Sequence, residues 1–242
     1  FYFQENSAPI ESINPIVYWL AVPNGILLII STFLLLKAIQ ISKLSVSLPL
    51  ISLTPLFLLI ISYFLLGESP SKLGLVGIGL IVVGAYIVNL KPGHSLLAPF
   101  KSVFTIKGSF YVIIVAFVWS ITASMFKVGL NNSNAIYYTT LVCLFMSIMM
   151  IPLLLKNLGQ KIRNIRSNFA MLLCLCAASA FMFAASSYAM AYAIVAYVIS
   201  LKRSSLIFSI LIGYFFFSEK NIKNALIGTI IMLIGGLLIT AF

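Results

Sequence analysis

The chain has 242 residues, 62% of them apolar, with 15 basic side chains against 4 acidic ones and no aspartate. Charged residues make up 8%, against about 25% in a soluble globular domain, so the chain lacks the polar groups to cover a water-facing surface. An ordinary soluble domain, a disordered chain and a coiled coil are excluded on that ground. Continuous apolar runs without strand alternation also argue against an outer-membrane barrel. What remains is an all-α polytopic membrane protein, one membrane domain overall, surrounded by membrane lipid. The net charge of +11 fits basic membrane loops, and no nucleic-acid partner is expected.

About 20 apolar residues are needed to cross ~30 Å of hydrocarbon, and eight such spans are read along the chain. Span A runs from Pro15 to Leu36, B from Leu44 to Leu66, C from Leu73 to Leu90 and D from Gly108 to Leu130. Span E covers Asn134 to Leu155, F Phe169 to Ala193, G Tyr197 to Phe217 and H Ala225 to Ala241. The polar stretches 91–107 and 156–168 are too short for a soluble domain and read as loops. Pro23 in span A, and Pro49 and Pro55 in span B, predict kinks, since each removes a helical hydrogen bond. In a membrane the freed carbonyls must find other donors. Cys143, Cys174 and Cys176 lie in apolar runs and read as small reduced core residues rather than a redox or metal motif.

The basic residues sort by side. Loops A–B, C–D, E–F and G–H carry eleven: Lys37, Lys43, Lys91, Lys101, Lys107, Lys156, Lys161, Arg163, Arg166, Lys220 and Lys223. The opposite side has Lys72 and Lys127, while Lys202 and Arg203 fall within span G. The positive-inside rule then places those four loops in the cytoplasm. The expected location is the cell inner or plasma membrane, multi-pass, with no signal peptide read.

A shift of 151 residues exposes an internal repeat. Glu68 falls on Glu219, Tyr63-Phe64 on Tyr214-Phe215, Gly77 on Gly228, Gly84 on Gly235 and Ala38 on Ala189. This maps spans A, B and C onto F, G and H. The offset of five spans is odd, so the two halves should lie in opposite orientations, as in many secondary transporters. Residues 1–90 then form a first repeat lacking its first two helices, and 108–242 a complete second repeat of five. The chain begins at Phe1 rather than Met, and the expectation is of a ten-helix bundle whose first two spans lie upstream.

Leu66-Gly67-Glu68, a short polar turn, and then Gly77 and Gly84 in the next span resemble the EamA-type signature of the drug/metabolite transporter superfamily. Phe217-Ser218-Glu219 followed by Gly228, Gly235 and Gly236 resembles it again, with Ser218 in place of the usual glycine. Gly108 through Lys127, with Trp119, resembles the opening span of a repeat. The resemblance runs from about Ile16 to the end of the chain. It implies a five-plus-five inverted-repeat fold and alternating-access transport of small metabolites such as amino acids, nucleotide sugars, sugar phosphates or drugs.

The candidate substrate-binding residues centre on span G. Ionisable residues inside a span are costly, roughly 2.5–3.5 kcal/mol each at the centre. Lys202-Arg203 therefore reads either as a snorkelling pair at the interface or as an anion site. Lys202, Ser205, Ser209 and Gly213 recur at helical spacing as a small polar face. Arg offers a planar fork to phosphate or carboxylate, and Lys a mobile charge. The pair also resembles the one in the triose-phosphate and organophosphate translocators of the superfamily, which implies a phosphorylated substrate. Tyr192 and Tyr197 could stack on or hydrogen-bond a substrate, or belong to an aromatic belt.

Glu68 and Glu219 read as junction residues that accept hydrogen bonds from the N-terminus of the helix that follows each, with a gating or proton-coupling role as the alternative. Gly77, Gly84, Gly228 and Gly235 read as close-packing positions, and Lys127 as an interface anchor. With one histidine, no aspartate and no HExxH or GxSxG motif, neither an enzyme nor a cofactor is expected. The reading is a secondary transporter, exporter or exchanger, of small organic metabolites, anionic in the Lys202-Arg203 hypothesis, acting as monomer or homodimer. The alternative is a truncated or non-transporting membrane scaffold or binding subunit.

Overall fold

A computed structural model describes residues 14–42, 48–88, 97–155, 159, 165–203, 205, 208 and 223–240. Among them the regular structure is entirely helical: α1 (Ile16–Ile41), a 3-10 helix (Leu48–Leu53), α2 (Thr54–Leu66), α3 (Lys72–Val88), α4 (Ala98–Thr105), α5 (Lys107–Asn131), α6 (Ala135–Leu155), α7 (Phe169–Tyr192), α8 (Val195–Arg203) and α9 (Lys223–Thr240). The helices α1, α5, α6 and α7 are long and apolar enough to cross a membrane, and Leu50–Leu66, α3 and Leu226–Ile239 are shorter apolar helices.

Seven of the spans read from the sequence coincide with these elements, while of span G only the start, Tyr197–Arg203 in α8, is a described helix and most of the rest lies outside the described residues; three differences appear. First, span B is not one kinked helix. Pro49 lies in the 3-10 helix, and Pro55 sits in the first turn of α2, where a proline's missing N–H breaks no bond within that helix. Second, the loop between spans C and D contains α4. Third, Cys143, Cys174 and Cys176 are free thiols on exposed faces, not core residues. Pro23 does lie inside α1, as expected.

The chain divides into two compact units, one formed by Phe1–Ile26 and Met125–Tyr192, the other by Leu27–Ser124 and Ala193–Phe242. In the smaller, α6 is fixed by polar groups that would be costly to leave unpaired in lipid. The Tyr18 and Tyr137 hydroxyls pair at 2.7 Å, and so do those of Thr139 and Ser187. Fully buried Tyr138 accepts from Asn24 Nδ2 at 3.5 Å and meets the edge of Phe126. Gly129 leaves room for the Tyr138 ring, which a Cβ there would strike. On α7, by contrast, Ser187 and Met190 are buried, while residues 169–185 are exposed, as an apolar lipid-facing helix can be.

Lys127 does not reach for an interface. It is buried, and its Nζ donates to the Met190 carbonyl and, at 3.3 Å, to the Ala191 carbonyl. A cation is favoured there because the last turn of a helix carries unpaired carbonyls and the negative end of the dipole.

In the larger unit, α3 and α9 cross with their backbones almost touching. A Cβ on Gly77 would stand 2.7 Å from the Gly235 carbonyl oxygen, and one on Gly84 would stand 2.6 Å from that of Gly228. Built the other way, Cβ atoms on Gly235 and Gly228 meet the Gly77 and Gly84 oxygens at 2.6 and 2.5 Å. Small residues permit such an approach, and in lipid the resulting dispersion contacts hold helices together. Trp119 on α5 donates to Ser31 Oγ on α1 at 3.0 Å, and Phe57 and Phe117 meet edge to face.

Candidate functional site

The candidate site is built around α8, whose two ends are held by different parts of the first half of the chain. The chain bends at Ala193 and Ile194 before α8 begins. Its first N–H, that of Val195, donates to Glu68 Oε2 at 3.0 Å. A carboxylate is well matched to that position, since it satisfies an orphan donor and faces the positive end of the helix dipole. Glu68 thus serves a helix N-terminus as expected, but that of α8, 127 residues away, and not that of α3, which follows it.

Local geometry aims Glu68. Gly67 closes α2 in the left-handed conformation (φ 67°), with its N–H on the Tyr63 carbonyl at 3.1 Å and the Glu68 N–H on that of Ser62 at 3.4 Å. That is a glycine C-cap, a conformation other L-residues rarely adopt. Ser71 then caps α3 by accepting from the Gly74 N–H at 3.0 Å. The Tyr197 hydroxyl accepts from the Ser71 N–H at 3.1 Å, and its ring lies where a Cβ on Gly74 would go. Tyr197 is therefore held against the start of α3.

At its other end α8 carries Arg203. An α-helical Ile51 carbonyl would bond the N–H four residues on, but that residue is Pro55, which has none. The carbonyl instead accepts from the Thr54 hydroxyl at 2.6 Å and from Arg203 Nη2 at 3.3 Å. Arg203 Nη2 also donates to Thr54 Oγ1 at 3.0 Å. Arg203 Nε is buried and has no hydrogen-bond partner among the described residues, and the same holds for Ser200 Oγ. Three residues apart on one helix, Ser200 and Arg203 share a face.

The structure thus places the expected residues unequally. Arg203 is half-buried and oriented, while Lys202 and Ser205 are exposed. Tyr192 is exposed at the end of α7, in the smaller unit. Ser209, Gly213 and Glu219 lie outside the described residues. Ser200, Thr54 and the Ile51 carbonyl escaped the sequence reading. The signal for Ile51 was available, because Pro55, four residues on, has no N–H to offer its carbonyl.

A helical chain with several apolar helices of membrane-spanning length is a polytopic membrane protein. The chain matches the model of the EamA-like transporter family over residues 1–90 and 106–241. It belongs to that family of membrane transporters of small molecules, which work in a lipid environment. No curated protein matches the chain.

Proposed function

We propose that the protein is a secondary transporter, exporter or exchanger, that carries small organic anions across the cell inner or plasma membrane by alternating access. Arg203 is the residue that contacts the anionic group. The observation behind this is its half-satisfied guanidinium: Nη2 is anchored by Ile51 and Thr54, while buried Nε has no acceptor. Leaving a buried cationic donor unpaired costs several times a normal hydrogen bond, and a carboxylate or phosphate oxygen would remove that cost. Ser200 Oγ offers a second donor on the same face, and Lys202 a mobile charge one residue away.

An inverted repeat supports the alternating-access part. Gly77 corresponds to Gly228 under the 151-residue shift, and Gly84 to Gly235, yet Gly77 meets Gly235 and Gly84 meets Gly228. Such exchange of partners is what a two-fold axis between two equivalent helices produces.

The test is a thermal-shift screen of the detergent-purified protein against sugar phosphates, nucleotide sugars, amino acids, carboxylates and cationic drugs. Stabilisation by anions that disappears in Arg203→Ala and weakens in Lys202→Ala is the expected result. Anion stabilisation untouched by both substitutions, or stabilisation by cations alone, would remove the anion site from this reading.

A further inference from the structure

The helix α4 is eight residues long, about 12 Å at 1.5 Å per residue, too short to span a bilayer. Its inner face is fixed to the larger unit. Pro99 and Ser102 are buried, and Val103 packs against the cluster of Ala38, Leu50 and Val112. The Ser102 hydroxyl donates to the Pro99 carbonyl at 2.5 Å and pairs with that of Ser109 at 2.7 Å. Phe100, at the border of this face and the outer one, stacks on Tyr86 at 5.4 Å between ring centroids.

Its outer face is apolar. Leu97 is 59% exposed, Phe100 43% and Phe104 91%, and they recur at the spacing of one helix face. Basic side chains surround this stripe. Lys101 is exposed on α4, and Lys107, the first residue of α5, is exposed across the bend at Ile106. Gly108 packs against Ala38 and Ser42, which brings the end of α1 to the same place. There the exposed Lys37 sits 5.9 Å from the centroid of the Tyr111 ring. No acidic side chain falls between residues 69 and 218, so none lies on α4 or beside it in sequence.

A face of large apolar side chains flanked by lysines suits neither water nor the hydrocarbon centre. It suits the boundary between them, where rings enter the acyl region and lysines reach headgroup phosphates. We infer that α4 is an interfacial anchor that docks this end of the larger unit on an anionic lipid leaflet, with Leu97, Phe100 and Phe104 inserted and Lys37, Lys101 and Lys107 binding the headgroups. The charge complementarity selects an anionic leaflet over a neutral one. The inference rests on the membrane location of the chain and is independent of the substrate assigned to Arg203.

Two measurements on the full chain test it, in phosphatidylcholine vesicles with and without ~30% phosphatidylglycerol. A Phe104→Trp variant should gain fluorescence that lipids brominated near the headgroup quench and aqueous iodide does not. Phosphatidylglycerol should raise the thermal midpoint of the wild type by several degrees, and of Lys101→Gln/Lys107→Gln by much less. Iodide quenching of the fluorescence gained in Phe104→Trp over the wild type would overturn insertion. Protection from iodide without quenching by brominated lipid would assign the face to another protein and overturn it equally. An equal phosphatidylglycerol shift in wild type and double variant would overturn the headgroup contacts.

Discussion

Arg203 Nη2 donates to the Ile51 carbonyl at 3.3 Å, a backbone acceptor of the 3-10 helix to which Pro55, four residues on, has no N–H to offer. The proline and the arginine are therefore one device: the first opens a polar position in an apolar helix and the second occupies it. Pro55→Ala returns an N–H to compete for that carbonyl. The expected outcome is a fold retained, with a thermal midpoint shifted by only a few degrees, and weaker stabilisation by anionic ligands because the guanidinium loses its fixed orientation. Thr54→Val removes the other donor to Ile51 and should cost about 1 kcal/mol, read as a lower midpoint in detergent.

The Glu68 carboxylate should behave as a cap between distant segments. Glu68→Ala leaves the Val195 N–H without its acceptor and should cost about 1–2 kcal/mol, or roughly 2–8 °C in a chain of this size. Glu68→Gln keeps an acceptor oxygen and should lose less than half as much. Equal midpoints for both variants and wild type would show that the cap contributes nothing.

The α3–α9 crossing should tolerate no added methyl group. Gly77→Ala and Gly235→Ala should each cost about 1–3 kcal/mol, the usual range for overpacking. Because the two glycines face one another, the double variant should cost less than the sum. Gly77→Ala with Gly228→Ala should be near additive, since the two crossing points lie about 10 Å apart along the helix. Thermal midpoints of the single and double variants in detergent decide this.

Lys127→Met should destabilise the smaller unit by up to about 2 kcal/mol, because it withdraws a buried cation from the carbonyl end of α7. Hydrogen exchange should rise in the last turn of α7, around Met190 and Ala191, more than in α6. A uniform change would mean that Lys127 acts through bulk packing alone.

The positions of the helices were legible because lipid imposes a minimum apolar length, and length can be counted along a sequence. Pairing was not. Glu68 and Lys127 both sit beside span ends, and their neighbours in sequence suggested a local cap and an interface anchor. Their partners, Val195 and the Met190 and Ala191 carbonyls, lie 127, 63 and 64 residues away. Backbone acceptors carry no sequence label. The helix α4 was hidden for another reason: eight residues in a loop that also carries lysines and a Pro-Gly pair cover barely two turns, too few for an apolar stripe to stand out. At the candidate site, Arg203 was legible from the rarity of charge inside a span, whereas Ser200 resembles any serine until its burial is seen.

The glycine crossing also dictates an order of assembly. Gly84 and its partner Gly228, and Gly77 and its partner Gly235, are separated by well over a hundred residues of synthesis. At about 5–20 residues per second, α3 waits roughly seven to thirty seconds in the bilayer before α9 exists. During that interval its smallest, least lipid-attracting face is bare, and the helix is short for a bilayer. A nascent chain arrested before residue 223 should therefore be a substrate for membrane quality control, because the surface that fixes α3 comes only with α9.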